Sequence, residues 1–284
     1  MLWGFLVTLL LLVLLLTRLS YFRRRQLARR QHTQILDQIR LLRLLLEQLQ
    51  RHRGLCYGSM SGEPGLEAQR WSVSQQVDAL LKQAKVHEAS LFWYPGWHHV
   101  LAGWQEVDAQ REQASAEQVL LLHNRMIAQL LDTIEEMAGK QDLVCLGHLV
   151  PQTEGLWLEL LQNAELLGQA RAIGTGIAAR RQNSALQREE LQRLAEQIRL
   201  RAYGVPARLY SDALLRTQMA AAVREAEDSL DALLQLIEDL LESEKGPLVR
   251  AQNYFQTATR TISAQLALAD MLLERLQQNV LSPA

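Results

Sequence analysis

The chain has 284 residues, 48% of them hydrophobic and 21% charged, with a net charge of −1. That balance excludes wholesale disorder. Six prolines and fifteen glycines are few for this length, and the abundant Leu, Ala, Gln, Glu and Arg all favour helices. No run of alternating Val, Ile and Thr suggests a strand, so the expected fold class is all-α.

Residues 2–22 read LWGFLVTLLLLVLLLTRLSYF. This run is about long enough for a bilayer's ~30 Å hydrocarbon core. Trp3, Tyr21 and Phe22 suit interfacial positions, and Arg18 can snorkel. A cleaved signal peptide would begin with cations and end at small residues. Here no cation precedes the run, and FRRRQLARR follows it. Residues 1–22 are therefore expected to form a transmembrane anchor, single-pass in the inner (cytoplasmic) membrane. Residues 23–31 would be a basic juxtamembrane segment, and residues 32–284 a helical domain. Excess arginine stays on the cytoplasmic side, which places that domain in the cytoplasm. Residues 1–53 hold ten arginines against Asp37 and Glu47, a net +8; the whole chain is −1, so the remainder is −9. The acidic body argues against a nucleic-acid partner.

A first bundle helix is expected over about 32–57, with GSMSGEPG (58–65) as a loop and a second helix over about 66–87. SLFWYPGWHHVLAGW (90–104) gathers Phe92, Trp93, Tyr94, Trp97 and Trp104 around a Pro-Gly turn, as a plug for a bundle end or, alternatively, a partner-binding patch. Ser115 and Gln118 have capping-box spacing at the start of a helix that Gly139 ends. Residues 142–153 read as a connection. A helix follows over about 154–181, and Ser184 with Gln187 opens another that stops at Tyr203-Gly-Val-Pro206. Residues 209–243 and 248–280 carry long apolar stripes, separated by Gly246-Pro247. The expectation is seven or eight helices after the anchor, arranged as two stacked up-down bundles sharing long helices.

Two arginines interrupt these stripes. On the first helix Ile35, Ile39, Leu42, Leu46, Leu49, Arg53 and Cys56 share one face, at alternating steps of four and three. On the helix near 154 the stripe is Trp157, Leu161, Ala164, Gly168, Arg171, Thr175 and Ala178, with Gly168, Gly174 and Thr175 leaving space near the cation. A buried charge needs compensation. Two readings stand. A planar oxyanion could lie between Arg53 and Arg171, matched to their donor forks; or each arginine could pair with Asp78, Asp132 or Glu165, or reach water at the rim.

Three segments carry a family resemblance. LQRHRG (49–54) resembles an LQxERG pattern, AQRWSVSQQVDALL supplies Arg70 and Asp78, and LLGQARAIGTGIAAR resembles GxERA through Gly168, Arg171 and Ala172. Together they are similar to the nitrate- and nitrite-sensing (NIT) domain of bacterial receptors and regulators. The resemblance implies an all-helical double bundle that binds nitrate or nitrite between helices. Carried over by motif, Arg53 and Arg171 are the anion-binding candidates, with Arg51 and Arg70 as secondary contacts. His52 and Ala170 stand where the family pattern has glutamate, which leaves the site either degenerate or more positive.

No catalytic signature and no metal-ligand spacing is present; His98-His99 lacks a third ligand nearby, and Gly174 and Gly176 form a GxG with no preceding strand. Neither enzyme activity nor a cofactor is expected. Cys56 and Cys145 are expected to be reduced thiols. The expected function is signal transduction by a membrane-anchored sensor of a small anion. It would act through an unknown protein output partner or a homodimer, since no output module follows. The alternative is a membrane-tethered scaffold with a degenerate anion site.

Overall fold

The computed structural model describes residues 2–111, 113–141, 143–144, 154–181, 184–202, 204–210, 213–242 and 249–281, with side chains of residues 2–10, 202, 206, 207, 210, 213, 214 and 281 outside the description. Ten α-helices are described: α1 (Leu2–Met60), α2 (Glu67–Ala84), α3 (Glu88–Leu91), α4 (Pro95–Gln110), α5 (Ala116–Lys140), α6 (Leu156–Arg180), α7 (Ala185–Ala202), α8 (Gly204–Tyr210), α9 (Ala213–Glu242) and α10 (Ala251–Leu281). Two 3₁₀ turns, Pro64–Leu66 and Lys85–His87, flank α2. Among the described residues there is no strand, and the all-α expectation holds.

Two local outcomes differ from expectation and a third agrees with it. First, no boundary separates the anchor from the first bundle helix: α1 is one helix of 59 residues. The Arg, Gln, Leu and Ala residues between Phe22 and His32 are helix formers, and none supplies a break. Second, residues 95–110 form α4. Pro95 occupies its first turn, where a missing N–H does no harm. Trp97, Val100, Trp104 and Val107 then line its buried face. Tyr94, Trp97 and Trp104 enter the core, whereas Phe92 and Trp93 are exposed, Trp93 by 74%. Third, both expected capping boxes form: Gln118 N–H donates to Ser115 Oγ and Gln187 N–H to Ser184 Oγ, each 3.2 Å. The breaks expected at Pro151 and Gly246-Pro247, and Cys145, lie outside the described residues.

Leu11–Leu16, Leu19, Tyr21 and Phe22 are exposed. Among the described residues no helix is long and apolar enough to cross a membrane; the side chains of residues 2–10, within the expected span 2–22, lie outside them.

The contacts divide the helices into two groups. α1 packs with α2 and α5, and α4 packs on α5; α6 packs with α10 and α7, and α9 on α10 and α7. α1 also lies against α6 and α10, so a single apolar cluster runs through both groups. α1 and α6 are parallel, because Gln50 and Arg53 meet Glu165 while Gly58 further along meets Thr175. α10 is antiparallel to α1: Arg43 pairs with Asp270, and Gly54 meets Phe255. The single stripe expected on α6 is therefore too narrow. Nearly every residue from Leu156 to Ala178 is buried, since the helix is enclosed by α1, α7 and α10.

The GxG of α6 is a packing device. A Cβ at Gly174 would fall inside the Tyr254 ring, and one at Gly176 inside the Tyr57 ring. Each glycine receives an aromatic ring from a neighbouring helix. Gly174→Ala is accordingly expected to destabilise by ~1–3 kcal/mol through overpacking, despite a gain of up to ~1 kcal/mol in helix propensity. Gly139, with nothing within 4 Å of its Cβ position, is expected to show the opposite sign when replaced by alanine. Thermal melts followed by circular dichroism measure both.

Candidate anion site

Arg53 and Arg171 are the two bulkiest side chains with almost no exposure, 0% and 1%. They meet where α1, α6 and α10 converge. A Cβ added at Gly168 on α6 would lie 2.7 Å from Arg53 Nη2, and one at Gly54 on α1 would lie 3.4 Å from Arg171 Nε and 2.9 Å from the Phe255 ring. Each guanidinium thus lies against a glycine of the opposite helix. Residues 54 and 168 have to be small because a Cβ at either would enter the space of the arginine or ring that lies there. The space expected beside Arg171 is distributed differently: Gly168 serves Arg53, Gly174 serves Tyr254, and Thr175 donates to the Arg171 carbonyl at 2.6 Å.

The two cations are compensated unequally. Arg53 makes a forked ion pair with Glu165: Nη1 donates to Oε1 at 2.6 Å and Nη2 to Oε2 at 3.2 Å. Nη1 also donates to Asn124 Oδ1 at 2.8 Å. Among the described residues no carboxylate pairs with Arg171; Glu47 and Glu165 act on it only through their fields. Its Nη1 donates to Thr259 Oγ1 at 3.0 Å, and its guanidinium lies 5.1 Å from the centre of the Phe255 ring. The Thr259 hydroxyl donates in turn to the Phe255 carbonyl at 2.7 Å, which fixes its lone pairs toward Arg171. Among the described residues, Arg171 Nε and Nη2, Arg53 Nε, Arg51 Nε and Gln50 Oε1 are buried without a hydrogen-bond partner. Burial and the nearby charges of Arg53 and Arg51 push Arg171 down to about 9, so it remains charged at neutral pH. The Nε–Nη2 edge is one of the edges through which a guanidinium grips an oxyanion by two parallel N–H bonds.

Of the secondary candidates, Arg51 lies close enough to act on Arg171 electrostatically, but Arg70 does not face this junction. Arg70 donates to Glu67 at 2.7 Å and to His52 Nε2 at 3.3 Å. Asp78 accepts the Trp104 indole N–H. His98 and His99 meet the Phe92 carbonyl and Gln129 respectively. The site residues not singled out from the sequence are Asn124, Thr259, Phe255 and Gln50. Phe255 sat on the apolar stripe of α10, but nothing local marked it or Thr259 as facing a cation.

His52 and His123 form a second buried polar centre on the opposite face of α1. His52 Nδ1 and His123 Nε2 are 2.9 Å apart, and His123 Nδ1 is 2.8 Å from the Val119 carbonyl. Arginine only donates and a carbonyl only accepts, so the chain has one consistent direction. Arg70 donates to His52, His52 to His123, and His123 to Val119, with both rings neutral. Burial, the paired ring and Arg70 hold His52 well below its ordinary value. Burial, opposed by the bond to Val119, brings His123 down to about 4. Position 52 points toward α5, away from Arg171, so histidine in place of glutamate there removes no neighbour of the anion junction. Glu165, one turn before Gly168, provides the carboxylate.

A family model described as nitrate and nitrite sensing matches residues 44–277. The chain belongs to that family. As in other sensing domains of this kind, the region it covers is a signal-receiving domain, and here it contains the whole α1–α6–α10 junction. No curated protein matches the chain. The solved structure of the NasR transcription antiterminator is similar, with a TM-score of 0.66 at 20% identity over 92% of this chain and 74% of that one. At that identity the likeness is one of fold.

The histidine pair makes stability pH-dependent. Unfolded histidines titrate near 6.5 and the folded His123 near 4, so between these values the unfolded chain binds more protons. Stability is therefore full above pH 6.5 and declines as pH falls toward 4, by on the order of 3 kcal/mol for His123 alone. Denaturation midpoints measured across that range should fall in the native chain and fall less in His123→Gln.

Proposed function

We propose that this domain senses nitrate or nitrite by binding the anion between Arg171 and Arg53. The observation that carries the reading is the fully buried Arg171 guanidinium whose Nε–Nη2 edge has no partner among the described residues. A buried cation in that condition is unfavourable until an anion meets it. Charge supports a monovalent ligand: Glu165 balances Arg53, Glu47 and Asp270 (both paired with Arg43) offset Arg43 and Arg51, and about one positive charge, that of Arg171, is left over. Nitrate is planar, singly charged and small enough to lie between glycine-backed guanidinia.

The ligand would draw α6 and α10, which hold Arg171 and Thr259, toward α1, which holds Arg53. α1 then carries the change to the N-terminal segment and to an output partner or a second copy of the chain. The antiterminator activity of NasR suggests transcription as one output class; the net −9 of residues 54–284 favours a protein partner over direct nucleic-acid contact.

If nitrate binds the folded form only, a hundredfold excess over Kd stabilises by ~2.7 kcal/mol, a melting shift of a few degrees for a domain of this size. Arg171→Met should abolish the shift, while Arg193→Met, at an exposed arginine paired with Glu190 inside α7, should leave it intact. Identical melting in nitrate and chloride at matched ionic strength would leave the tethered-scaffold reading in place of the sensor.

The reading also includes a membrane anchor over residues 2–22 with the domain on the cytoplasmic side. Its support is the sequence of the segment, its arginine flank, and the exposed apolar surface that residues 11–22 present among the described residues. Deleting residues 1–22 should move the protein from the membrane fraction to the supernatant with its helix content retained. Cys56 cannot report orientation, because it is buried and burial pushes its thiol up to about 11. A cysteine at the exposed Leu186, in a chain with Cys145→Ser, should react with an impermeant reagent only after lysis.

A further inference from the structure

We infer that Glu165 is a built-in counter-anion that competes with the ligand for Arg53, and so sets both the affinity and the charge selectivity of the site; this rests on the anion-binding reading above. Glu165 is 8% exposed and accepts four hydrogen bonds: two from Arg53, one from Gln50 Nε2 at 2.9 Å and one from Gln169 Nε2 at 2.9 Å. Two of these donors come from α1 and are Gln50 and Arg53, spaced three apart so that both reach the same carboxylate. This is more than a chance surface pairing. The fork of Arg53, which would otherwise face an entering oxyanion, is turned onto a fixed carboxylate of α6.

The carboxylate has two effects on a ligand at Arg171. It neutralises Arg53, leaving one cation rather than two to attract the anion. It also takes one N–H from each terminal nitrogen of Arg53, and Asn124 takes the second of Nη1, so that only the Nε N–H and one Nη2 N–H are left to reach an oxyanion. A singly charged anion is suited to what remains. A doubly charged one would bring a charge that the junction cannot balance while Glu165 is ionised.

The test is anion binding to the full chain in detergent micelles, by calorimetric titration with nitrate and with sulfate. Glu165→Gln keeps the shape and the hydrogen-bonding reach but removes the charge. It should tighten nitrate binding by about tenfold or more, as expected for removing a unit charge several ångströms from the ligand in a poorly solvated site. It should also create measurable sulfate binding that the native chain lacks. Glu159→Gln, at a more exposed carboxylate of the same helix paired with Arg208, should change neither. If Glu165→Gln does not fold, Glu165→Asp withdraws the carboxylate by one methylene and should give a smaller tightening of nitrate binding. A folded variant with unchanged or weaker nitrate affinity and no sulfate binding would overturn the inference while leaving the sensor reading intact. Absence of nitrate binding to the native chain and to every variant would overturn the sensor reading, and this inference with it.

Discussion

The close approach of α1 and α6 is the constraint on which the rest of the structure depends. Two guanidinia are buried at one helix junction, and each lies over a glycine of the opposing helix. Burying an ion pair is at best near neutral for stability against an apolar alternative, because desolvation offsets attraction. The Arg53–Glu165 pair is therefore weak evidence for a stability device. It acts instead as a register pin: Gln50 and Arg53 grip the carboxylate of Glu165 from one side while Gln169 grips it from its own helix. Sliding α6 by one turn would strand three polar groups. The glycines beyond, at 174 and 176, continue the same register by admitting the rings of Tyr254 and Tyr57.

Against that fixed frame the second arginine stands out by what it lacks. Arg53 is met by a carboxylate and an amide; Arg171 is met by one hydroxyl and the face of a phenyl ring. Both partners of Arg171 come from α10. The helix that carries this charge is held to α10 by extensive packing, by the Tyr254 hydroxyl on the Ala170 carbonyl and by the Arg171–Thr259 contact, and to α1 by an ion pair. On the proposed reading, an arriving anion adds its attraction at Arg171, where neither helix supplies a paired carboxylate among the described residues. Coupling of this kind needs no long chain of residues, only one junction at which three helices share a charge.

The histidine pair shows how two buried polar centres share α1. Position 52 and position 53 are adjacent, so on a helix they point about 100° apart. His52 joins Arg70, Trp104 and His123 among α2, α4 and α5, while Arg53 reaches Glu165 of α6 and Asn124 of α5, the residue after His123. Arg70 belongs to the histidine face and Arg51 to the anion face. The same helix then continues without a break to Leu2; from Arg53 back to Phe22 the distance along its axis is about 46 Å. A rotation or shift of α1 against α6 is thereby a movement of the helix that also carries the apolar N-terminal segment.

Helix content, the two capping boxes and the two interrupted stripes were legible in the sequence, because each depends on spacing within one segment. Ser115–Gln118, Ser184–Gln187, Arg53 and Arg171 all stand where periodicity put them. What failed locally was also a matter of segment rules: Pro95 reads as a turn, and only burial of Trp97, Val100, Trp104 and Val107 on one face decides that it opens a helix. The partner of Arg53 could not be chosen from sequence. Asp78, Asp132 and Glu165 are equivalent until the packing of α1 on α6 brings one of them within 2.6 Å. Nor could the lack of a carboxylate at Arg171, because it follows from which residues of α10, Phe255 and Thr259, happen to face it. A charge on a helix stripe is a property of the sequence. Its compensation is a property of the neighbouring helices, and only the tertiary structure supplies them.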